Sequence, residues 1–235
     1  GAPLAPEILE KTRAVLPVEP SMANVFGMTE THGVVMMNGG AELKTHPTSV
    51  GRPLPYFDVR IVDDTGHEVP NGALGEILLY GPTVTPGYWN NPEATAAVIR
   101  DGWLHTGDVG YRDTEGFYYL VDRTKDIIIR GGENVYSVEI ESCLIEHPLI
   151  DEAAVIGVPD VELGERVKAI VCAVPGATLT AADVRGHVGA RLASFKVPEM
   201  IEITERPLPR NPAGKILKNQ LRGTGTAVFA DEAME

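Results

Sequence analysis

Three short segments of the 235-residue chain carry residue types suited to handling a phosphorylated nucleotide. Residues 24–30 read Asn-Val-Phe-Gly-Met-Thr-Glu, which puts an aromatic ring, a glycine, a hydroxyl and a carboxylate into a strand-to-helix turn. Phe26 can stack on a base, Gly27 can let backbone pass close, and Thr29 and Glu30 can offer oxygens to a phosphate and to Mg²⁺. Taken alone, the same string is equally an ordinary turn in which Thr29 caps a helix. Residues 103–108, Trp-Leu-His-Thr-Gly-Asp, are followed by Asp-Arg-Thr-Lys-Asp at 122–126. The Asp108 carboxylate can accept both hydroxyls of a ribose, and the Arg123 guanidinium can bond sugar or phosphate. Singly, such residues more often make structural salt bridges. Residues 209–215, Pro-Arg-Asn-Pro-Ala-Gly-Lys, frame Lys215 at an exposed loop tip. There it is either a solvated lysine or, over a nucleotide, a cation that stabilises charge on a transferring phosphoryl group.

Elements of two kinds must hold these residues. Apolar positions Ile8, Leu9, Val15 and Leu16 among charged neighbours predict an amphipathic helix over residues 6–16. Between residues 57 and 119 short alternating runs, 57–61 and 75–80, are separated by Gly, Pro, Asn and Asp. That segment is strand-rich, with reversals expected at Gly66, Gly72 and Gly116. After Asp122 the rhythm predicts a strand at 126–130, a helix capped by Ser137 running to about His147, strands at 153–158 and 167–174, a helix capped by Thr180 to about Leu192, and a strand at 200–204. The order β, α, β, β, α, β is that of a compact α+β unit, with a boundary at residues 122–125. Residues 223–235 read as a flexible tail.

Composition excludes several classes. Twenty Lys plus Arg against 33 Asp plus Glu give a formal net charge of −13, which opposes binding to a nucleic-acid backbone. The 43% apolar content argues for a packed globular chain, and the apolar run at 169–174 is too short to span a bilayer as a helix. Neither a transmembrane segment nor a secretory leader is read, and Cys143 and Cys172 read as packing residues of a reducing, cytoplasmic environment. The six histidines show no metal-ligand spacing.

Order and spacing sharpen these signals. Residues 26–30, Ser-Val-Gly-Arg-Pro at 49–53, Gly-Glu-Ile at 75–77, Gly-Tyr-Trp at 87–89, residues 105–108, residues 122–128, Gly-Gly-Glu-Asn at 131–134 and Asn-Pro-Ala-Gly-Lys-Ile at 211–216 follow one another as they do in the adenylate-forming superfamily. The chain closely resembles that superfamily over residues 1–222, most of all its fatty acyl-CoA synthetases. The resemblance implies residues 1–124 as the β-rich, barrel-like end of a large adenylation domain and residues 125–222 as a small mobile α+β domain. It implies a ligase that joins a carboxylic acid to ATP, giving acyl-AMP and pyrophosphate, and then passes the acyl group to coenzyme A. Phe26 would face the adenine, Thr29 the α-phosphate, Glu30 a Mg²⁺ ion, and Asp108 with Arg123 the ribose, with Gly27 letting backbone approach the nucleotide. Lys125 would be the hinge, Lys215 the catalytic cation of adenylation, and Gly131, Gly132, Glu133 and Asn134 the wall beside coenzyme A. Acetylation of Lys215 would silence adenylation.

The family also has, upstream of the first motif, a Ser/Thr/Gly-rich phosphate loop ending near a lysine. The only similar string here is residues 223–226, without a following lysine or strand-then-helix context. The chain therefore reads as a part that needs an upstream region or complementary chain, and that is inactive alone. A carrier-loading adenylation domain, an acyl-AMP ligase and a non-catalytic nucleotide- or coenzyme A-binding module are the alternatives.

Overall fold

The structure, a computed structural model, describes Val15, residues 22–212 and residues 214–223. The helix expected at 6–16, Val15 apart, and the tail expected at 223–235, Gly223 apart, lie outside the described residues. The fold is mixed α+β and includes a curled half-barrel sheet. The chain divides into two compact units between Lys125 and Asp126.

The first unit holds two antiparallel sheets. Strands β1 (Ala23–Met28), β2 (Gly33–Gly39) and β3 (Arg52–Pro53) form one in that order, with a short helix Ala41–Thr45 between β2 and β3. The other runs β4 (Asp58–Val62), β5 (Gly75–Tyr80), β7 (Trp103–Arg112), β6 (Ile99–Arg100), with β8 (Tyr118–Arg123) on β7. Helix Pro92–Val98 precedes β6, its first turn capped by Asn91 Oδ1, which accepts from Ala94 N at 3.1 Å. The two sheets share one core in which Val35, Met36, Ile77, Leu79 and Leu104 are essentially inaccessible. A bridge from Gly51 to Tyr118 joins them, backed by the Ser49 hydroxyl donating to Tyr118 O at 2.7 Å. Gly51 is obligatory there: its φ is +92°, and a Cβ would fall on the Met37 carbonyl. The reversals expected at Gly66, Gly72 and Gly116 are present, each glycine having φ near +85°.

The second unit is one five-stranded sheet: β10 (Glu133–Val135), β9 (Ile128–Arg130), β12 (Gly164–Ala173), β11 (Ile150–Asp160), with β13 (Met200–Thr204) parallel to β12. Helices Ser137–Ile145 and Ala181–Gly189 cover one face through Ile140, Leu144, Val184 and Val188. Leu208 seals the other face against Ala154, Ile156 and Ile170. Strands covered on both faces have no polar side to show, which is why the centres of β11 and β12 read as continuous apolar runs. Thr180 caps its helix as expected, in a reciprocal box with Asp183.

Two local expectations are corrected. The strand expected at 126–130 is only Ile128–Arg130, because residues Thr124–Asp126 form a 3-10 turn. Ser137 is not a cap: Tyr136 holds the cap position, and Ser137, fully buried, accepts from Lys218 Nζ at 2.7 Å. Cys143 and Cys172 are buried free thiols, and burial raises the pKa of both. No helix among the described residues is long and apolar enough to cross a membrane.

Candidate active site

The segment around Glu30 is not a strand-to-helix turn. After β1 the chain makes one 3-10 turn, Thr29–Thr31, and reverses through His32 in the left-handed region (φ 56°) into the antiparallel β2. Thr31 rather than Thr29 holds this turn: its buried hydroxyl accepts from Met28 N at 3.1 Å and lies 3.0 Å from Met28 O and 2.9 Å from Gly33 O. Thr29 is left exposed, and Glu30 half-buried. The alternation of β1 turns Asn24 and Phe26 inward. Phe26, 6% exposed, is a core ring of the first unit, so the open stacking face expected of it is not there. Gly27 has a reason inside the fold, since a Cβ would sit 2.0 Å from Gly33 O at the bulge between β1 and β2.

A partner of Glu30 escaped the sequence reading. Tyr88 Oη donates to Glu30 Oε1 at 2.7 Å, and this bond is the main cause that raises the Tyr88 pKa. Thr85 N donates to Glu30 O at 2.7 Å, and His32 Nδ1 donates to Thr83 O at 2.8 Å. Residues 83–88 thus strap the Glu30 turn at three points. The available signal was the Gly-Tyr-Trp string at 87–89, whose tyrosine had no assigned task.

Asp108 and Arg123 face each other across β7 and β8, with Arg123 Nε donating to Asp108 Oδ1 at 3.0 Å. Sequence reasoning also missed Glu76 and Thr106, which shape the approach to Asp108. Glu76 accepts from His105 Nδ1 at 2.9 Å and from Gly107 N at 3.0 Å. The Thr106 hydroxyl donates to Ile77 O at 2.7 Å and accepts from Asp108 N at 3.0 Å. The result is a paired carboxylate and guanidinium on rigid neighbouring strands, a geometry suited to adjacent hydroxyls of a sugar.

In the second unit, Gly131 (φ 59°) and Gly132 (φ 87°) form the two-residue reversal between β9 and β10. Consecutive left-handed residues match the twist of a tight hairpin, and glycine takes them without strain. Gly131, Gly132, Glu133 and Asn134 are all exposed. Lys215, also exposed, lies in a hairpin whose ends bridge at Arg210 and Ile216. Asn211 Oδ1 accepts from Lys215 N at 2.9 Å, and Arg210 Nη1 donates to Gly214 O at 2.6 Å. Lys125 is exposed in the 3-10 turn at the division between the units.

Among the described residues no group of three His, Cys, Asp or Glu is placed to hold a metal. That donor set does not make an all-protein cage. It fits a Mg²⁺ ion held largely by substrate phosphates with a single carboxylate, the role Glu30 can fill.

Comparison with known proteins places the chain. Residues 1–89 match the family described as AMP-binding enzyme, and residues 139–215 match the AMP-binding enzyme C-terminal domain. A feruloyl-CoA synthase from Amycolatopsis sp is 44% identical over 197 residues, 84% of this chain and 40% of its own length. The fatty acid–[acyl-carrier-protein] ligase ScoC of Streptomyces coeruleorubidus is 40% identical over 229 residues, 94% of this chain and 43% of its own length. The crystal structure of ATP-bound MatB from Rhodopseudomonas palustris superimposes with a TM-score of 0.86 at 39% identity, covering 95% of this chain and 44% of that one. The chain therefore spans well under half the length of these relatives. It belongs to the adenylate-forming, AMP-binding enzyme family, and the relatives it matches include CoA and acyl-carrier-protein ligases.

Proposed function

We propose that this chain serves an ATP-dependent, AMP-forming acyl-CoA ligase. A carboxylate oxygen of the acid bonds to the α-phosphorus of ATP and pyrophosphate leaves; the sulfur of coenzyme A then bonds to the acyl carbon and AMP leaves. The observation that carries the reading is that one chain matches both the AMP-binding family and its C-terminal domain on either side of the division at Lys125. Asp108 binds the ribose hydroxyls with Arg123 orienting its carboxylate, and Thr29 bonds the α-phosphate. Glu30 would hold a Mg²⁺ ion, which when bound would neutralise phosphate charge. Phe26 supports the turn from the core. Lys215 supplies a cation to the reacting phosphate in adenylation, and rotation at Lys125 then brings the Gly131–Asn134 hairpin to the coenzyme A arm in its place.

The resemblance to fatty acyl-CoA synthetases supports a fatty acid as the substrate, and the feruloyl-CoA synthase among the relatives supports including aromatic acids in the same substrate panel. The carrier-protein ligase among the relatives supports one second reading, transfer to a carrier thiol, and a direct comparison of coenzyme A with carrier protein as acceptor decides between them. A soluble cytoplasmic setting suits the two buried free thiols and the net charge of −13. The phosphate loop is the part that the family carries upstream, so the 235-residue chain alone is expected to adenylate poorly. Carboxylate-dependent pyrophosphate exchange is the test: weak for this chain, restored when the upstream region is supplied. In the restored enzyme Lys215→Ala should cut exchange steeply while sparing thioester formation from supplied acyl-AMP, and equal loss of both half-reactions would sink the scheme.

A further inference from the structure

The second unit opens on a carboxylate to which the proposed chemistry gives no task. Asp126 follows Lys125 directly, ends the turn Thr124–Asp126, and is 7% exposed. A carboxylate so covered is costly without a partner. Its partner lies 96 residues away: Arg222 Nη2 donates to Asp126 Oδ1 at 3.0 Å. Arg222 closes the short helix Lys218–Leu221, and Lys218 Nζ at the other end lies 2.7 Å from Ser137 Oγ and from Glu141 Oε1. On the other side of Lys215, Arg210 Nη2 donates to Glu152 Oε1 at 2.8 Å, while Glu152 Oε2 accepts from Leu208 N at 2.7 Å. The segment bearing Lys215 is thus fastened at three carboxylates, and the last of them is the first residue of the unit.

We infer that Asp126 and Arg222 are positioning residues for domain alternation: their ion pair makes the residue after the hinge part of the same rigid body that carries Lys215. The inference rests on the hinge reading of Lys125. Ile128, at the start of β9, is fully buried, so only Asp126 and Ile127 stand between Lys125 and the sheet. With the pair in place, rotation stops at Lys125. Without it, rotation spreads into residues 126–127 and the ammonium of Lys215 arrives with a spread of positions, to which phosphoryl chemistry is sensitive.

Amide hydrogen exchange on the 235-residue chain tests the clamp without needing turnover. Asp126→Asn and Arg222→Met should each speed exchange at residues 126–128 and 218–223 by about tenfold or more, with β11 and β12 unchanged, and Arg222→Lys should restore most of the protection. Wild-type rates at 126–128 in both neutral variants would overturn the inference. So would a uniform rise through β11 and β12, which marks general stability instead. In the full-length ligase, Arg222→Met should lower adenylation about tenfold at an unchanged KM for ATP and spare thioester formation, whereas equal loss in both half-reactions contradicts a positioning role. Failure of the hinge shows separately: Lys125→Pro with both half-reactions at wild-type rates would remove the alternation half of the inference, with the exchange result still reporting the clamp.

Discussion

Gly27→Ala separates a glycine kept for the fold from one kept for a ligand. The added Cβ would sit 2.0 Å from Gly33 O, 2.8 Å from Gly33 C and 3.0 Å from Val34 Cα. All three are backbone atoms, so no side chain can swing aside, and β1 and β2 must part by about an ångström at their bulge. Overpacking of this kind costs about 1–3 kcal/mol. The strained register pairs, Phe26 with Met36 and Gly27 with Val34, put one or two ladder hydrogen bonds at risk at about 1 kcal/mol each. Alanine returns about 0.5 kcal/mol by restricting the unfolded chain. The net loss is about 2–4 kcal/mol, a shift of about 1–2 M in the urea midpoint. Both tryptophans, Trp89 and Trp103, lie in the first unit, so tryptophan fluorescence reports that unit alone. Gly132→Ala is the control: its Cβ would meet nothing within 4 Å, the cost is confined to strain at φ +87°, and it lies in the other unit. A Gly27→Ala chain that unfolds at the wild-type midpoint, with no nucleotide present, would refute the steric reasoning.

Other perturbations have equally definite outcomes. Asp108→Asn should change stability by less than about 1 kcal/mol, because the Arg123 side chain of the pair is 36% exposed, yet weaken AMP binding to the full-length enzyme by about tenfold or more; calorimetric titration showing wild-type affinity would remove Asp108 from the ribose site. The Arg130 guanidinium, 2.6 Å from Glu199, holds that carboxyl below its ordinary 4.5, so the unfolded chain takes up the proton first as the solution is acidified. The pair's stabilisation is therefore present above pH 4.5 and lost below it, and Arg130→Met should flatten the acid limb of stability against pH; an unchanged limb in urea titrations contradicts this. Thr180→Ala removes the acceptor of Asp183 N and should cost the second unit about 1 kcal/mol by circular dichroism, an effect that Thr180→Ser should largely spare.

What the sequence made legible was local. Gly66, Gly72 and Gly116 declared turns because a left-handed residue leaves few other choices, and Thr180 with Asp183 declared a helix start through a box closed within four residues. Strands β5 and β13 fall at their expected limits. Misreadings came where distant partners decide. Thr29 resembled a cap, but the antiparallel return of β2 leaves room for one 3-10 turn and gives the work to Thr31. Ser137 resembled a cap until Lys218, 81 residues on, claimed its hydroxyl. Phe26 resembled an open platform, yet strand alternation, set by a sheet in which its partner Met36 lies ten residues on, turns it inward. In the candidate site, Asp108 and Arg123 were legible as a pair because one hairpin places them opposite each other. The Tyr88 bond to Glu30 was not, since it spans 58 residues with no pattern linking them.

The meeting of Asp126 and Arg222 has a topological corollary. Asp126, the first residue of the second unit, meets Arg222, next to last of its described residues, so residues 126–222 form a nearly closed ring. Such a ring tolerates being cut elsewhere and rejoined. A circular permutant that links residue 223 to residue 126 by a few glycines and opens at the exposed turn around Gly176 should keep the same sheet and the same lysine-bearing hairpin, which would make this lobe a portable folding module.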